Sequence, residues 1–371
     1  MPKTSIKKNL KICLIAISYG RGGLERTTTL LSKMLVHQGF LVTNVILTNR
    51  IDYDYAGKMF NLGKLKKSPD LPISRFKRFK KLKDFLKQEN FDLIIDHRPR
   101  NSWMKELFYL KYIYKNQKLI YVIHNFMTWN YLTDKRWMAK KIIKETTGIV
   151  AVSNSITEKL KEEFKNIDIQ TIYNPIQNLS TKKPKDFPLE NKKYILFLGR
   201  LDSEIKNIPL LLEAYKKSGL FKKKIYLVLM GSGESASLQQ QINELDLIES
   251  VQILSYHAEV GYYLQQAEFL CLSSKHEGFP MVLVEALSVG TPVVSVDCES
   301  GPKEIIKHEE NGLLVPNHQP DLLAQAMLRM IKDENLYQNC KKNAKSSIKH
   351  LQPEVIADQW KNYLLGKINN N

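Results

Sequence analysis

KICLIAISYGRGGLERTTTLLSKMLVHQ, residues 11–38, is the stretch on which the fold turns. Residues 11–18 are an almost wholly apolar run of strand length, the pattern of a strand covered on both faces. Gly20, Gly22 and Gly23 then make a tight loop, and over 24–38 the apolar residues recur at about 3.6-residue spacing, the period of a helix. This is a βα unit, and the chain repeats it. Residues 41–48, 93–95, 119–123, 148–152 and 169–172 are further short apolar runs separated by helical stretches, which implies a parallel sheet with helices on both faces. Residues 174–193 bring Pro175, Pro184 and Pro188 among polar residues, a linker composition. The pattern restarts at 194–198, 225–230, 251–254, 269–272 and 292–296. The sequence therefore predicts an α/β protein of two Rossmann-like domains, residues 1–178 and 190–353, followed by a helix over 354–369 that carries Trp360 and Tyr363. Ligands of such sheets bind beyond the carboxyl ends of the strands, so a deep cleft between the domains is the expected site.

The second half holds the chemistry. Glu277-Gly-Phe-Pro-Met-Val-Leu-Val-Glu285 sets two carboxylates eight residues apart around a glycine turn and a helix start. Gly278 can take positive φ and Pro280 suits a first helical turn, so the stretch Phe279, Pro280, Met281, Val282 would aim free backbone N–H groups at an anion such as phosphate. Glu285, further into the helix, can accept from ribose hydroxyls while Glu277 meets hydroxyls at the other end of the ligand. Arg200 follows the apolar run that ends at Gly199, and Lys206 comes six residues later. A planar guanidinium fork and a compact ammonium together can neutralise a leaving diphosphate without a metal. Gly231 and Gly233, in Met-Gly-Ser-Gly, form either a plain strand-to-helix turn or part of the same site.

Gly-Arg200-Leu with Lys206, Met-Gly231-Ser-Gly233-Glu, Glu277 with Glu285, and Asn-Gly312-Leu-Leu-Val-Pro resemble glycosyltransferase family 4, retaining enzymes of the GT-B fold, across nearly the whole chain. The resemblance implies that Arg200 and Lys206 hold the donor diphosphate, that Glu277 contacts the donor sugar, and that Glu285 binds the ribose. It also implies that the loop Gly22-Gly23-Leu24-Glu25-Arg26 approaches the phosphates and that the last helix crosses back onto the N-terminal domain. His124 matches a histidine that family members place near the reacting sugar or acceptor; the other reading is a satisfied histidine at a strand end. The loop Ser-Gly301-Pro302-Lys-Glu304 looks like that of bacterial polysaccharide and oligosaccharide hexosyltransferases. The reaction so implied is transfer of a hexose, with retention, from a UDP-linked donor to a hydroxyl of a lipid-linked or surface-polysaccharide glycan, with no metal or other cofactor. The alternatives are a GT-B epimerase or phosphorylase, for which no pyridoxal lysine is marked, and a non-catalytic basic module that binds anionic lipid or RNA.

At 371 residues the chain exceeds what one core usually holds. Cys13, Cys271, Cys298 and Cys340 lie far apart without metal-ligand spacing, suggesting neither a zinc site nor a disulfide framework. No apolar run reaches the roughly 18 residues of a membrane span, and residues 1–10 are too polar for a secretory signal. The net charge is +18, and residues 1–180 hold 33 Lys and Arg against 15 Asp and Glu while the rest holds 23 of each. The whole excess lies in one half, which points to a large anionic partner there. Lipid head groups and a polyprenyl diphosphate acceptor both qualify, and no nucleic-acid-binding motif is present. A cytoplasmic enzyme peripheral to the cytoplasmic membrane is the expectation.

Three stretches of the first half carry competing readings. Over 74–86, Phe76, Phe79, Leu82, Phe85 and Leu86 share a helical face and read as core, while cations including Arg75, Arg78 and Lys81 face lipid or acceptor. Asp96-His97-Arg98-Pro-Arg100 follows a strand, so His97, Arg98 and Arg100 are candidates to hold an acceptor phosphate; a capped loop is the alternative. Asp52-Tyr-Asp54 has the form of a D-x-D metal signature, yet it stands in a polar loop without supporting ligands and reads as a decoy.

Overall fold

The computed structural model describes residues 10–20, 22–66, 69–257 and 259–369. The first nine residues, in which no secretory signal is read, and Arg21 of the glycine loop lie outside them. The chain forms two compact units, one comprising residues up to Pro175 together with those from Pro353 onward, the other Ile176–Gln352. Most of the proline-bearing segment after Pro175 is thus counted with the second unit.

The first unit is built on seven parallel strands: β1 (Lys11–Ala16), β2 (Leu41–Ile46), β3 (Lys58–Asn61), β4 (Leu93–Asp96), β5 (Leu119–Ile123), β6 (Gly148–Ala151) and β7 (Ile169–Thr171). Their order is β3-β2-β1-β4-β5-β6-β7. Parallel neighbours cannot be joined by a hairpin, so helices such as Gly23–His37 and Asn154–Glu163 carry the crossovers and cover the sheet. Covering both faces is why Ile12 to Ala16 and Leu93 to Ile95 have no exposed surface.

The last helix, Pro353–Asn369, completes this unit. It buries Ile356, Trp360, Tyr363 and Leu364, the Tyr363 hydroxyl donates to Ile149 O at 3.4 Å, and Lys367 pairs with Asp168. Gly148 is required beneath it, since a Cβ there would lie 2.3 Å from the Tyr363 hydroxyl.

The second unit repeats the plan with β8 (Lys193–Leu198), β9 (Ile225–Gly231), β10 (Val251–Ser255), β11 (Phe269–Leu272), β12 (Val293–Asp297) and β13 (Gly312–Pro316), in the order β10-β9-β8-β11-β12-β13. Its core joins Ile195, Phe197 and Leu229 of the sheet to Met327 and Met330 of the helix Pro320–Lys332. In both units the strand order reverses beside the first strand, between β1 and β4 and between β8 and β11, and the loops leaving the carboxyl ends there diverge to opposite faces.

Two strands escape the sequence reading. β3 is a four-residue edge strand, half-exposed, and β13 lies inside the Asn-Gly312 motif. The helix Pro72–Glu89 buries only Leu82 and Leu86; Phe76, expected on the core face, is 53% exposed.

Trp360 is 5% exposed, so Trp360→Ala is expected to lower the unfolding free energy of the first unit by about 3–5 kcal/mol, measured as a denaturant midpoint shift at constant slope.

Candidate active site

The loops leaving β8, β9 and β11 dock on one another. Leu201 N donates to Ser232 O at 2.8 Å and Gly199 N to Met230 O at 3.0 Å, which draws the first two together. A Cβ on Gly231 would lie 1.6 Å from Gly199 O, and Gly233, at φ 123°, would put one 2.6 Å from Asp202 Cγ. Both glycines are therefore needed for this close approach, whatever else they meet.

A 3₁₀ turn, Glu204–Lys206, then presents Lys206 to the loop after β11. Lys275 N donates to Ile205 O at 2.7 Å and the Ser273 hydroxyl to Lys206 O at 2.9 Å. On that frame Lys206 Nζ lies 2.7 Å from Glu277 Oε1, which also accepts from the Ser274 hydroxyl at 2.6 Å. The side chains of Lys206 and Glu277 are 18% and 14% exposed, enclosed yet reachable from solvent. Arg200 is exposed, and among the described residues its guanidinium makes a 3.5 Å contact to Ser203 Oγ. Sequence reasoning missed Ser273 and Ser274, for hydroxyls before a carboxylate carry no spacing signal of their own.

The turn after Glu277 is held from β12. Glu277 N donates to Glu299 O at 3.0 Å and the Ser300 hydroxyl to Gly278 O at 2.7 Å. The left-handed backbone falls on Ser300 (φ 68°) and Gly301 (φ 101°) and not on Gly278, and a Cβ on Gly301 would strike Pro280 Cδ at 2.2 Å. Pro280 is the residue that precedes the helix Met281–Val289, and Leu283 N closes on Pro280 O. Outward donors of the first turn are thus Met281 and Val282; Phe279 is buried ahead of it. Glu285 is on this helix, 4% exposed.

In the first unit Gly22 and Gly23 open the helix Gly23–His37, where burial pushes the Glu25 carboxyl up. His97 and His124, which directly follow β4 and β5, meet with His97 Nδ1 3.0 Å from His124 Nε2. His97 is 1% exposed, whereas His124 is half-buried. Burial, with Arg100 beside it, pushes the His97 imidazole down to about 3; burial, His97 and Arg100 hold His124 well below the usual histidine range.

Arg98 and Arg100 do not reach a ligand. Arg98 Nη2 lies 2.7 Å from Asp96 Oδ2 with its guanidinium 3.7 Å over the Tyr109 ring, and Arg100 donates to the carbonyls of Tyr131, Asp96, Arg98 and Val122 at 2.7–3.2 Å. Buried charge is tolerated only when so fully paired. The expectation that they hold an acceptor phosphate is corrected: both are internal struts. Arg78 and Arg75 are likewise engaged, clamping Asp70 at 2.5 and 3.0 Å and holding its carboxyl well below the usual range, chiefly through the Arg78 hydrogen bond. Lys81 is on the exposed side of its helix. Asp52 pairs with Arg50 at 2.9 Å, and among the described residues no group of three or more His, Cys, Asp or Glu could hold a metal.

Residues 21–177 match the family model described as Glycosyltransferase Family 4, and residues 180–347 match the one described as Glycosyl transferases group 1. The chain is a glycosyltransferase of the family 4 type. It is 29% identical over 96% of its length to all of the N-acetylgalactosamine-N,N'-diacetylbacillosaminyl-diphospho-undecaprenol 4-alpha-N-acetylgalactosaminyltransferase of Campylobacter jejuni. It is 26% identical over 92% of its length to 96% of an uncharacterized glycosyltransferase of Haemophilus influenzae. Among solved structures, HepE of Anabaena in complex with UDP and glucose superposes with a TM-score of 0.76 at 18% identity, over 96% of this chain and 100% of that one. The fold is GT-B, and the glycosyltransferase is an enzyme, which removes the non-catalytic reading.

The histidine pair gives the glycosyltransferase a pH signature. Both imidazoles are neutral in the fold and ordinary, near 6.5, in the unfolded chain, so below that value only the unfolded chain takes up their protons. Stability that His97 contributes above about pH 6.5 is lost as pH falls toward 3, by up to roughly 1.4 kcal/mol per pH unit, and His124 acts in the same direction. Denaturant unfolding between pH 7.5 and 4.5 should show a shallower loss for His97→Asn than for the unmodified chain; equal slopes would contradict the assignment.

Proposed function

We propose that the glycosyltransferase moves a hexose from a UDP-linked donor to a hydroxyl of a lipid-linked glycan, with retention of configuration and with no metal needed at the leaving group. The observation that carries this reading is the Lys206–Glu277–Ser274 cluster beside the solvent-facing Arg200 fork, at the point where the second sheet reverses. Arg200 takes the diphosphate bidentately, and Lys206 turns from Glu277 toward the same oxygens as charge develops on them. Met281 and Val282 add backbone donors at a helix start. Glu277 is held by two partners, which suits it to bind sugar hydroxyls and not to attack the anomeric carbon. The acceptor oxygen then approaches from the face the diphosphate leaves, in an ion-pair-like transition state. Glu285 serves the ribose and His124 a sugar or acceptor hydroxyl.

Support for the donor and acceptor classes comes from the relatives: HepE binds UDP and glucose, and the Campylobacter enzyme is named for a diphospho-undecaprenol substrate. No described helix is long and apolar enough to cross a membrane. In this reading, access to such an acceptor falls to the surface of the first unit. Leu71, Ile73 and Phe76 are 58%, 70% and 53% exposed at the start of the helix Pro72–Glu89, with Lys77, Lys80 and Lys81 exposed on the same helix. Apolar side chains among free cations are the composition of a contact with anionic lipid.

Lys206→Ala is expected to cut kcat by roughly a hundredfold or more with the melting temperature nearly unchanged, and near-normal turnover of UDP-sugars would remove the assignment. Calorimetric titration with UDP should show binding to the unmodified chain and weaker binding to Glu285→Gln. Reversing Lys77, Lys80 and Lys81 to Glu should weaken binding to anionic liposomes by roughly two orders of magnitude, at about 1 kcal/mol for each cation; unchanged binding would eliminate this face as the membrane contact.

A further inference from the structure

The two histidines of the first unit divide the work of one site between them. His124 is half-buried, and its Nδ1 carries no hydrogen bond among the described residues; its Nε2 is 3.0 Å from His97 Nδ1. His97 lies beside it, 1% exposed, and its own Nε2 is buried with no hydrogen-bond partner among the described residues. Both residues line a cavity of about 10 Å³, whose walls include Thr27, Tyr173 and Asn174 as well as Leu31, Met34 and Trp360, too small for any substrate group. Arg100, fixed by four backbone carbonyls, opposes a proton on either ring through its positive charge, in line with the low pKa of each.

Two neutral imidazoles at this distance share one hydrogen, and the choice of ring that carries it is decided at the far nitrogens. If His124 donated, the His97 proton would lie on Nε2, a buried N–H without an acceptor. An orphaned buried donor is the rarer and costlier arrangement, whereas an unmet lone pair in the same place is tolerated better. The bond that one ring nitrogen makes determines which form the other presents.

We infer that His97 is a positioning residue for His124: its Nδ1–H donates to His124 Nε2, which places the His124 proton on Nδ1 and makes that edge a fixed hydrogen-bond donor to a ligand oxygen. The ligand is a sugar hydroxyl or phosphate oxygen, and for that consequence alone the inference rests on the glycosyl-transfer reading. Trp360, from the last helix, is buried and lines the same cavity as the pair.

The tautomers are read on the resting full-length chain, labelled with ¹⁵N-histidine, by long-range proton–nitrogen correlation at pH 7, with His97→Asn and His124→Asn as assignment variants. Protonated Nδ1 in both rings is expected; a protonated Nε2 in His124 overturns the inference, and this result is independent of any activity. Turnover of a UDP-sugar supplies the second arm. An Asn amide nitrogen can occupy the place of the imidazole Nδ1, so His97→Asn should keep kcat within about threefold, while His97→Leu should lose roughly ten- to a hundredfold in kcat with little change in the donor KM. Equal kcat in the two variants, each shown folded by its melting temperature, also overturns it.

Discussion

Neighbouring parallel strands have to be joined by a chain that leaves one end of the sheet and returns to the other, and both units of this protein are consequences of that requirement. Each crossover deposits a helix on a face, each face so covered demands apolar strands, and each sheet must reverse its winding beside its first strand. At the reversal two loops part, and the backbone donors and side chains that follow β8 and β11 are left uncovered by any helix. Arg200, Lys206 and Glu277 are all on loops of this kind. Their chemistry is attached to a place that the topology empties.

Electrostatics in the two units follow opposite rules. At Lys206 and Glu277 a cation and a carboxylate are paired where solvent still enters, so the pair can open at modest cost and exchange partners. At Asp96, Arg98, Glu106 and Arg100 the same residue types are sealed in, and every guanidinium is spent on carboxylates, carbonyls and aromatic faces. The sealed group cannot respond to a ligand without breaking the fold, and of its members Arg100 acts on the histidines through its charge.

The sequence showed those features whose signal is local. Strand runs, helical spacing and the order of the glycine and carboxylate motifs were legible, because each depends on residues a few positions apart. β3 was not, since four half-exposed residues, KMFN, have no period to detect. Arg98 and Arg100 looked like surface residues because what buries them comes from Tyr109, Tyr121, Val122 and Tyr131, far along the chain. Phe76 was misplaced for the reverse reason: a helical stripe states which residues share a side but not how much of that side the neighbours cover. The Ser300 and Gly301 buttress under Pro280 shows in the sequence only as a loop resembling that of other hexosyltransferases, and its purpose needs the third dimension.

The helix Pro353–Asn369 supplies Trp360 and Leu364 to a core whose other members end at Pro175. A ribosome therefore releases the last piece of the first unit only after it has made the whole of the second. The nascent N-terminal half must wait with an apolar groove uncovered for the time it takes to translate about 180 codons. In this protein the unit that starts first is the one that finishes last, and a stop codon directly after Gln352 would leave the second unit whole and the first one open.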